Sequence, residues 1–183
     1  MEKNKLAMVL FIVNEVVFFL LLVLAYVAMH RRTGTGPTAA SSLDLAATSF
    51  YTVLLLSSSF TLWRAEVSRR KQRRRALRSW LLATVVLGAG FLFGQAREYA
   101  GLIRRNITIS RDLFGTTFFT LTGFHGLHVL LGLVMLLVLL GFAVLGTRAE
   151  PTEEAMSAIS VYWHFVDGVW VVIFSVVYLW AFL

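Results

Sequence analysis

Five apolar stretches, each near or above the length a helix needs to cross a bilayer, dominate the sequence: Leu6 to His30, Asp44 to Trp63, Trp80 to Gly101, Leu113 to Gly146 and Ala158 to Leu183. A span takes about 20 residues, so five of them use up most of a 183-residue chain and leave only short polar joints. The composition agrees. It is 58% hydrophobic and 15% charged, against about 45–50% and about 25% in an ordinary soluble domain. The expected fold is an all-α polytopic membrane protein, one membrane domain over residues 1–183 with five transmembrane helices in a bundle. No cysteine occurs, which excludes disulfide frameworks, thiolate metal sites, iron-sulfur clusters and cysteine nucleophiles. A net charge of +7 points in such a chain to topology and lipid headgroups, and no nucleic acid partner is expected.

The joint Arg31 to Ser42 carries Gly34, Gly36, Pro37 and Ser41, as a loop does. A basic loop at 64–79 includes the run from Arg69 to Arg75. The first stretch follows Lys3 and Lys5 like a signal peptide, but its apolar core exceeds the usual 7–15 residues and contains Glu15, so it is expected to be retained. With the amino terminus inside, eleven Lys and Arg residues face the cytoplasm and six the other side. The excess predicts a cytoplasmic amino terminus, a cytoplasmic 64–79 loop and an external carboxy terminus.

Ionisable groups deep in a membrane are rare and usually face a partner helix. Glu15 lies among Phe11, Val16 and Phe19; His125 and His128 share the fourth stretch; His164 and Asp167 share the fifth; Glu98 stands near the outer end of the third beside Gln95 and Tyr99. At about 1.5 Å per residue, Glu15, His128 and Asp167 each fall within about 5 Å of the middle of their spans, a depth at which they could meet. His125 with His128, and His164 with Asp167, are three apart and share a helix face. Small residues (Gly88, Gly90, Gly94, Gly123, Gly126, Gly132 and Ser57 to Ser59) allow close helix approach. Trp63, Trp80, Trp163, Trp170 and Trp180 fit lipid-facing or interfacial anchors.

Three functions suit such a polar set. A membrane metal enzyme would use the histidines and carboxylates as ligands, yet His-x-x-His and His-x-x-Asp differ from the Glu-x-x-His pairs of di-iron bundles. Haem ligation rests on residue type alone. A small proton or ion transporter would relay charge through Glu15, His128 and Asp167, yet no internal repeat is visible and Pro37 and Pro151 both lie in joints. A non-catalytic subunit would use the polar groups to hold its helices and shape a cleft.

The run Phe114-Gly115-Thr116-Thr117-Phe118-Phe119-Thr120-Leu121-Thr122-Gly123-Phe124-His125-Gly126-Leu127-His128-Val129, followed by Gly132, resembles the signature of subunit III of the haem-copper oxidases. Tyr162-Trp163-His164-Phe165-Val166-Asp167 with Trp170 resembles that family's last helix, and Leu10-Phe11-Ile12 with Glu15 and Phe18-Phe19 its buried-glutamate helix. Gln95, Glu98-Tyr99 and Thr108-Ile109-Ser110 match the segment leading into the long fourth span. The likeness is to the five-helix form, without the two amino-terminal helices that complete a lipid-filled cleft in the seven-helix form. Gly168 departs from the bulky apolar residue often found after the motif aspartate.

The resemblance implies an accessory subunit of an oxidase such as cytochrome c oxidase, multi-pass in a bacterial or archaeal cell membrane. It implies no redox centre, catalytic residue or metal in this chain, with haem and copper in partner subunits. Subunit I is the implied main contact, with subunit II and other respiratory subunits further off, and phospholipid the implied bound molecule. The family role it implies is lipid binding, efficient proton uptake and protection of the oxidase from inactivation during turnover. Glu15 would take a buried, hydrogen-bonded place near the lipid cleft, and His125, His128, His164 and Asp167 would make polar contacts between helices. A subunit-III-like protein of a nitric oxide reductase or a quinol oxidase shares much of the same pattern.

Overall fold

The computed structural model of the protein describes residues 3–30, 43–109, 113–146 and 152–180. The expected loop Arg31 to Ser42, with Ser110 and Pro151, lies outside them. Among the described residues every regular element is helical: α1 (Lys3–His30), α2 (Leu45–Arg70), α3 (Arg74–Arg104), α4 (Leu113–Leu145) and α5 (Glu153–Phe174), which runs into a π-helical turn (Ser175–Leu179). All five helices are long and apolar enough to span a membrane.

The helices outrun the apolar stretches. The basic segment 64–79, expected as a loop, is helical except for a turn at Lys71 to Arg73. Arginine and lysine are good helix formers, so charge alone does not end α2. What ends it is a pair of reversed bonds, Arg73 N to Ser68 O (2.9 Å) and Gln72 N to Arg69 O (2.8 Å), with Gln72 in the left-handed region at φ 55°. That is the Schellman closure of a helix. α3 closes the same way: Asn106 stands at φ 60°, and Ile107 N reaches Leu102 O at 3.1 Å. Ile107 and Leu102 are both buried, supplying the apolar contact that accompanies the motif.

The helix starts are also capped. Asp44 accepts from Ala47 N at 3.0 Å ahead of α2, and Thr152 accepts from Ala155 N at 3.1 Å ahead of α5. Glu153 and Glu154 in the first turn of α5 favour the positive end of its dipole. These residues start α5 five positions before the apolar stretch that begins at Ala158. At the far end of α4, Arg78 Nε donates to Ala143 O at 2.7 Å, so a cation satisfies one of that helix's last carbonyls.

α2 and α3 form an antiparallel hairpin, α3 packs on α4, α4 on α5, and α5 returns to α2. α1 lies on the outside of this ring, packed against α4 and α5. Its Leu10, Val13, Val17, Leu21 and Leu24 face outward, as apolar side chains do towards lipid.

The tryptophans divide differently from the expectation. Trp63 and Trp180 are exposed, but Trp163 (0%) and Trp170 (1%) are core residues. Trp163 of α5 lies in a slot between Gly88 of α3 and Gly132 of α4 and donates its Nε1 proton to Ser58 Oγ of α2 at 2.9 Å. Trp170 donates in the same way to Thr52 Oγ1 at 2.9 Å. A bare helix face made by two glycines leaves room for an indole, and a hydroxyl at the right height satisfies its N–H. One side chain of α5 therefore touches three other helices.

Candidate functional site: polar pairs inside the bundle

His128 lies at the middle of α4, and both of its ring nitrogens are engaged. Nδ1 is 2.7 Å from Phe124 O, one turn back, and Nε2 is 3.1 Å from Glu15 Oε2 of α1. A carbonyl oxygen only accepts, so Nδ1 carries a proton. The contact between Nε2 and the carboxyl then needs a second proton, held by the imidazole or by the acid. In either arrangement the pair as a whole is neutral and one proton lies in the contact between Nε2 and Oε2. Phe19 closes the pair from the side, its ring edge-on to His128 at 5.0 Å. Tyr162 OH donates to the carbonyl of His128 at 3.0 Å, tying α5 to the same point.

Asp167 belongs to a different cluster. Ser59 of α2 donates its hydroxyl to Asp167 Oδ2 and lies 2.8 Å from His164 Nδ1. Asp167 is buried and its other oxygen, Oδ1, has no hydrogen-bond partner; His164 is exposed. Of the three groups that could meet at one depth, Glu15 and His128 do and Asp167 does not: no hydrogen bond joins it to that pair. α1 binds α4 and α5 from outside the ring, whereas Asp167 points to α2.

His125 departs from expectation too. The resemblance implies a polar contact between helices at this residue, yet both ring nitrogens lack a hydrogen-bond partner. The ring is fully buried, stacked on Trp170 at 4.9 Å and edge-on to Phe91 at 5.8 Å. Three residues advance a helix by about 300°, so the two side chains point about 60° apart, enough to send His125 towards α3 and α5 while His128 faces α1.

Glu98 sits where α2, α3 and the π-helical turn come together. It accepts from Tyr178 OH at 2.6 Å and from Thr48 Oγ1 at 3.1 Å. The wider turn at Ser175–Leu179 carries the buried Tyr178 to this carboxyl, a common use of π-helical geometry at special sites. One turn further in, Gln95 Nε2 donates to Thr122 O at 2.7 Å, and Tyr99 OH lies 2.7 Å from Thr122 Oγ1.

The partners that spacing along single helices does not reveal are the hydroxyls of α2, among them Ser58 and Ser59, expected only as small residues for close approach. Thr48, Thr52, Ser58 and Ser59 each bond a residue from another helix. A signal for them is the density of hydroxyl side chains on this membrane-length helix, with Thr48 and Thr52 four apart on one face. Among the described residues, no three His, Asp or Glu side chains gather as they would to hold a metal ion.

Beside the Glu15 and His128 pair, α1 and α5 enclose an apolar cleft of about 330 Å³, walled by Val16, Phe19, Leu20 and Val23 on one side and Phe165, Gly168, Val169 and Val172 on the other. Phe19 is common to both: one side of its ring faces the cleft and it also packs on His128.

The family described as cytochrome c oxidase subunit III matches residues 1–182. A probable cytochrome c oxidase subunit 3 of Mycobacterium leprae is 34% identical over 170 residues, covering 93% of this chain and 84% of that protein. A cytochrome c oxidase subunit 3 of Synechocystis is 36% identical, covering 93% and 73%, and a cytochrome bo(3) ubiquinol oxidase subunit 3 of Pseudomonas aeruginosa is 36% identical, covering 93% and 81%. With a match that runs almost the whole length of five membrane-spanning helices, the chain belongs to the cytochrome c oxidase subunit III family and is a multi-pass cell membrane subunit of a haem-copper oxidase complex.

Proposed function

We propose that the chain is an accessory subunit that docks on subunit I, holds phospholipid, and uses the Glu15 and His128 pair to sustain proton uptake and to protect the oxidase during turnover, with no redox centre of its own. The observation that carries this reading is the placement of a one-proton carboxyl and imidazole pair directly behind the wall of an apolar, outward-opening cleft. An acyl chain fits such a groove, because its lining offers apolar surface and hardly any polar atoms. A chain seated there presses on Phe19, and through it on His128. Relatives named for cytochrome c and for ubiquinol oxidation share the same 36% identity with this chain, which fits a role independent of the electron donor. The count of eleven basic residues against six supports an amino terminus on the cytoplasmic side.

The donor set supports the placement of haem and copper in partner subunits. There is no thiolate, His128 has both nitrogens occupied, and His125 is entirely enclosed by side chains. The chain purified alone is expected to show no haem absorbance and no stoichiometric iron or copper; one metal or haem per chain overturns this part.

Glu15→Gln tests the proton. A glutamine amide donates to His128 Nε2 and preserves the link between α1 and α4, but it carries no exchangeable carboxyl proton. The assembled oxidase with Glu15→Gln is expected to keep its haem content and initial rate while its activity decays severalfold faster during continuous turnover. A decay identical to that of the unaltered enzyme would show that the pair only packs.

A further inference from the structure

His164 presents a problem that its own chain does not solve. It is two residues from the middle of the span Glu153–Leu179, and Ser59, to which it bonds, is equally close to the middle of α2. Both lie within about 3 Å of the centre of their spans. At that depth polar groups face a bundle interior or a wet cavity, yet His164 is exposed. Its Nδ1 is held by Ser59 at 2.8 Å. No hydrogen bond from the described residues reaches Nε2.

The surface around it differs from a lipid-facing one. Ser157, Val161, His164, Gly168, Val171 and Ser175 are spaced 4, 3, 4, 3 and 4 along α5 and into the π-helical turn, and Ser157, Val161, His164, Gly168, Val171 and Ser175 are all exposed. That alternation is the seam by which one helix packs along another. It is made of small and β-branched side chains, which let backbones approach closely, and a Cβ at Gly168 meets nothing within 4 Å. The exposed face of α4 carries Leu, Val and Phe throughout. The seam is about 27 Å long at 1.5 Å per residue, close to the thickness of the hydrocarbon layer.

We infer that this seam on α5, centred on His164, is the docking face for a transmembrane helix of another subunit of the same oxidase, which brings a hydrogen-bond donor to His164 Nε2. Acyl chains have no group to meet an imidazole, so lipid is a poor cover for this face. The chemistry of the partner group follows from the chain of bonds behind it. A hydroxyl has one proton to give; Ser59 gives it to Asp167, so His164 Nδ1 donates to Ser59, and Nε2 of the neutral ring is left as an acceptor. The helix that covers it therefore offers a hydroxyl, an amide N–H₂, an indole N–H or a cationic side chain. Asp167, Ser59 and His164 act as an anchored arm that fixes the imidazole at the surface. The lipid cleft lies on the other flank of α5, and Gly168 borders both.

The inference rests on the reading of the chain as a subunit docked in an oxidase, and the test separates the two. A photo-crosslinking side chain is placed at Val171 or at Val134 in the tagged chain, and the oxidase is purified from membranes. The two positions are matched: Val171 is 44% exposed and Val134 50%, each five residues from the middle of its span. The residue at 171 is expected to capture an oxidase subunit identified by mass, and the residue at 134 lipid. Val171→Trp and His164→Leu are each expected to lower the amount of other oxidase subunits retained by the tagged chain by about tenfold, as overpacking or stripping a close helix contact does, whereas Val134→Trp leaves it unchanged. Capture of a second copy or of lipid alone at 171, together with full retention by Val171→Trp and His164→Leu, overturns the docking face while leaving the chain's place in the complex intact. Failure of the unaltered chain to copurify with any oxidase subunit overturns both.

Discussion

Gly132→Leu is expected to prevent assembly of the bundle. A Cβ at this position would lie 2.7 Å from Trp163 Cε3 and 2.8 Å from Cζ3, and on the other side of the same indole a Cβ at Gly88 would lie 2.8 Å from Cη2. The ring has no direction in which to yield, because α3 and α4 meet it with backbone and Ser58 holds its N–H. Inserting side-chain carbons into a packed core costs about 1–3 kcal/mol. Expelling Trp163 would also break a buried hydrogen bond, worth about 1 kcal/mol, and open the contact of α5 with three helices. Helix propensity works the other way, since glycine is about 0.8–1 kcal/mol less favourable than alanine and leucine ranks just below alanine, so any loss comes from packing. Gly141→Leu on the same helix is the control: a Cβ there meets nothing within 4 Å. The yield of monodisperse chain in mild detergent is expected to collapse for Gly132→Leu and to stay unchanged for Gly141→Leu. Equal yields would show that the slot is not what holds the helices.

The slot also shows where the sequence was informative. Length and polarity give five spans directly, because hydrocarbon thickness fixes how many apolar residues a crossing needs, and the signatures around His125 and His164 lead to the family. Glycines on α3 and α4 were readable as sites of close approach, but the object that approaches them was not. Tryptophan suits an interface as well as a core, and only the bare strips of two other helices at one height decide for the core at Trp163. The same holds for polar groups. Spacing along one helix shows that His164 and Asp167 share a face, whereas their partner Ser59 is 105 and 108 residues away. Position along the chain puts Glu15 and Asp167 at similar levels of their spans, but rotation of each helix about its axis, which that position does not determine, sends them to separate partners. Helix ends depend on local conformation that polarity does not show: α2 stops where Gln72 takes a left-handed conformation, not where charge begins.

His128→Leu is expected to destabilise the subunit more than the double change of His128→Leu with Glu15→Leu. Polar contacts between membrane helices average only about 0.6 kcal/mol and reach about 1.7, so losing the bond itself is a modest effect. Leaving Glu15 without its partner is the larger one, because a buried group deprived of its hydrogen bond costs about 1–3 kcal/mol and hydrocarbon offers no replacement. Leucine at both positions removes that orphan and lets α1 pack on α4 through apolar surface. The bond from Tyr162 to the backbone of residue 128 survives in every variant, so α5 keeps its hold on α4. The measurement is the fraction of the subunit that stays in the complex after a thermal challenge in mild detergent. The expected order is the unaltered chain first, the double variant close behind, and His128→Leu well below; a double variant no better than His128→Leu would mean that Glu15 has another partner or is solvated. Turnover is the separate readout. A double variant that is restored in stability yet inactivates early would assign the pair to proton handling, because packing has then been returned to the bundle and the proton has not.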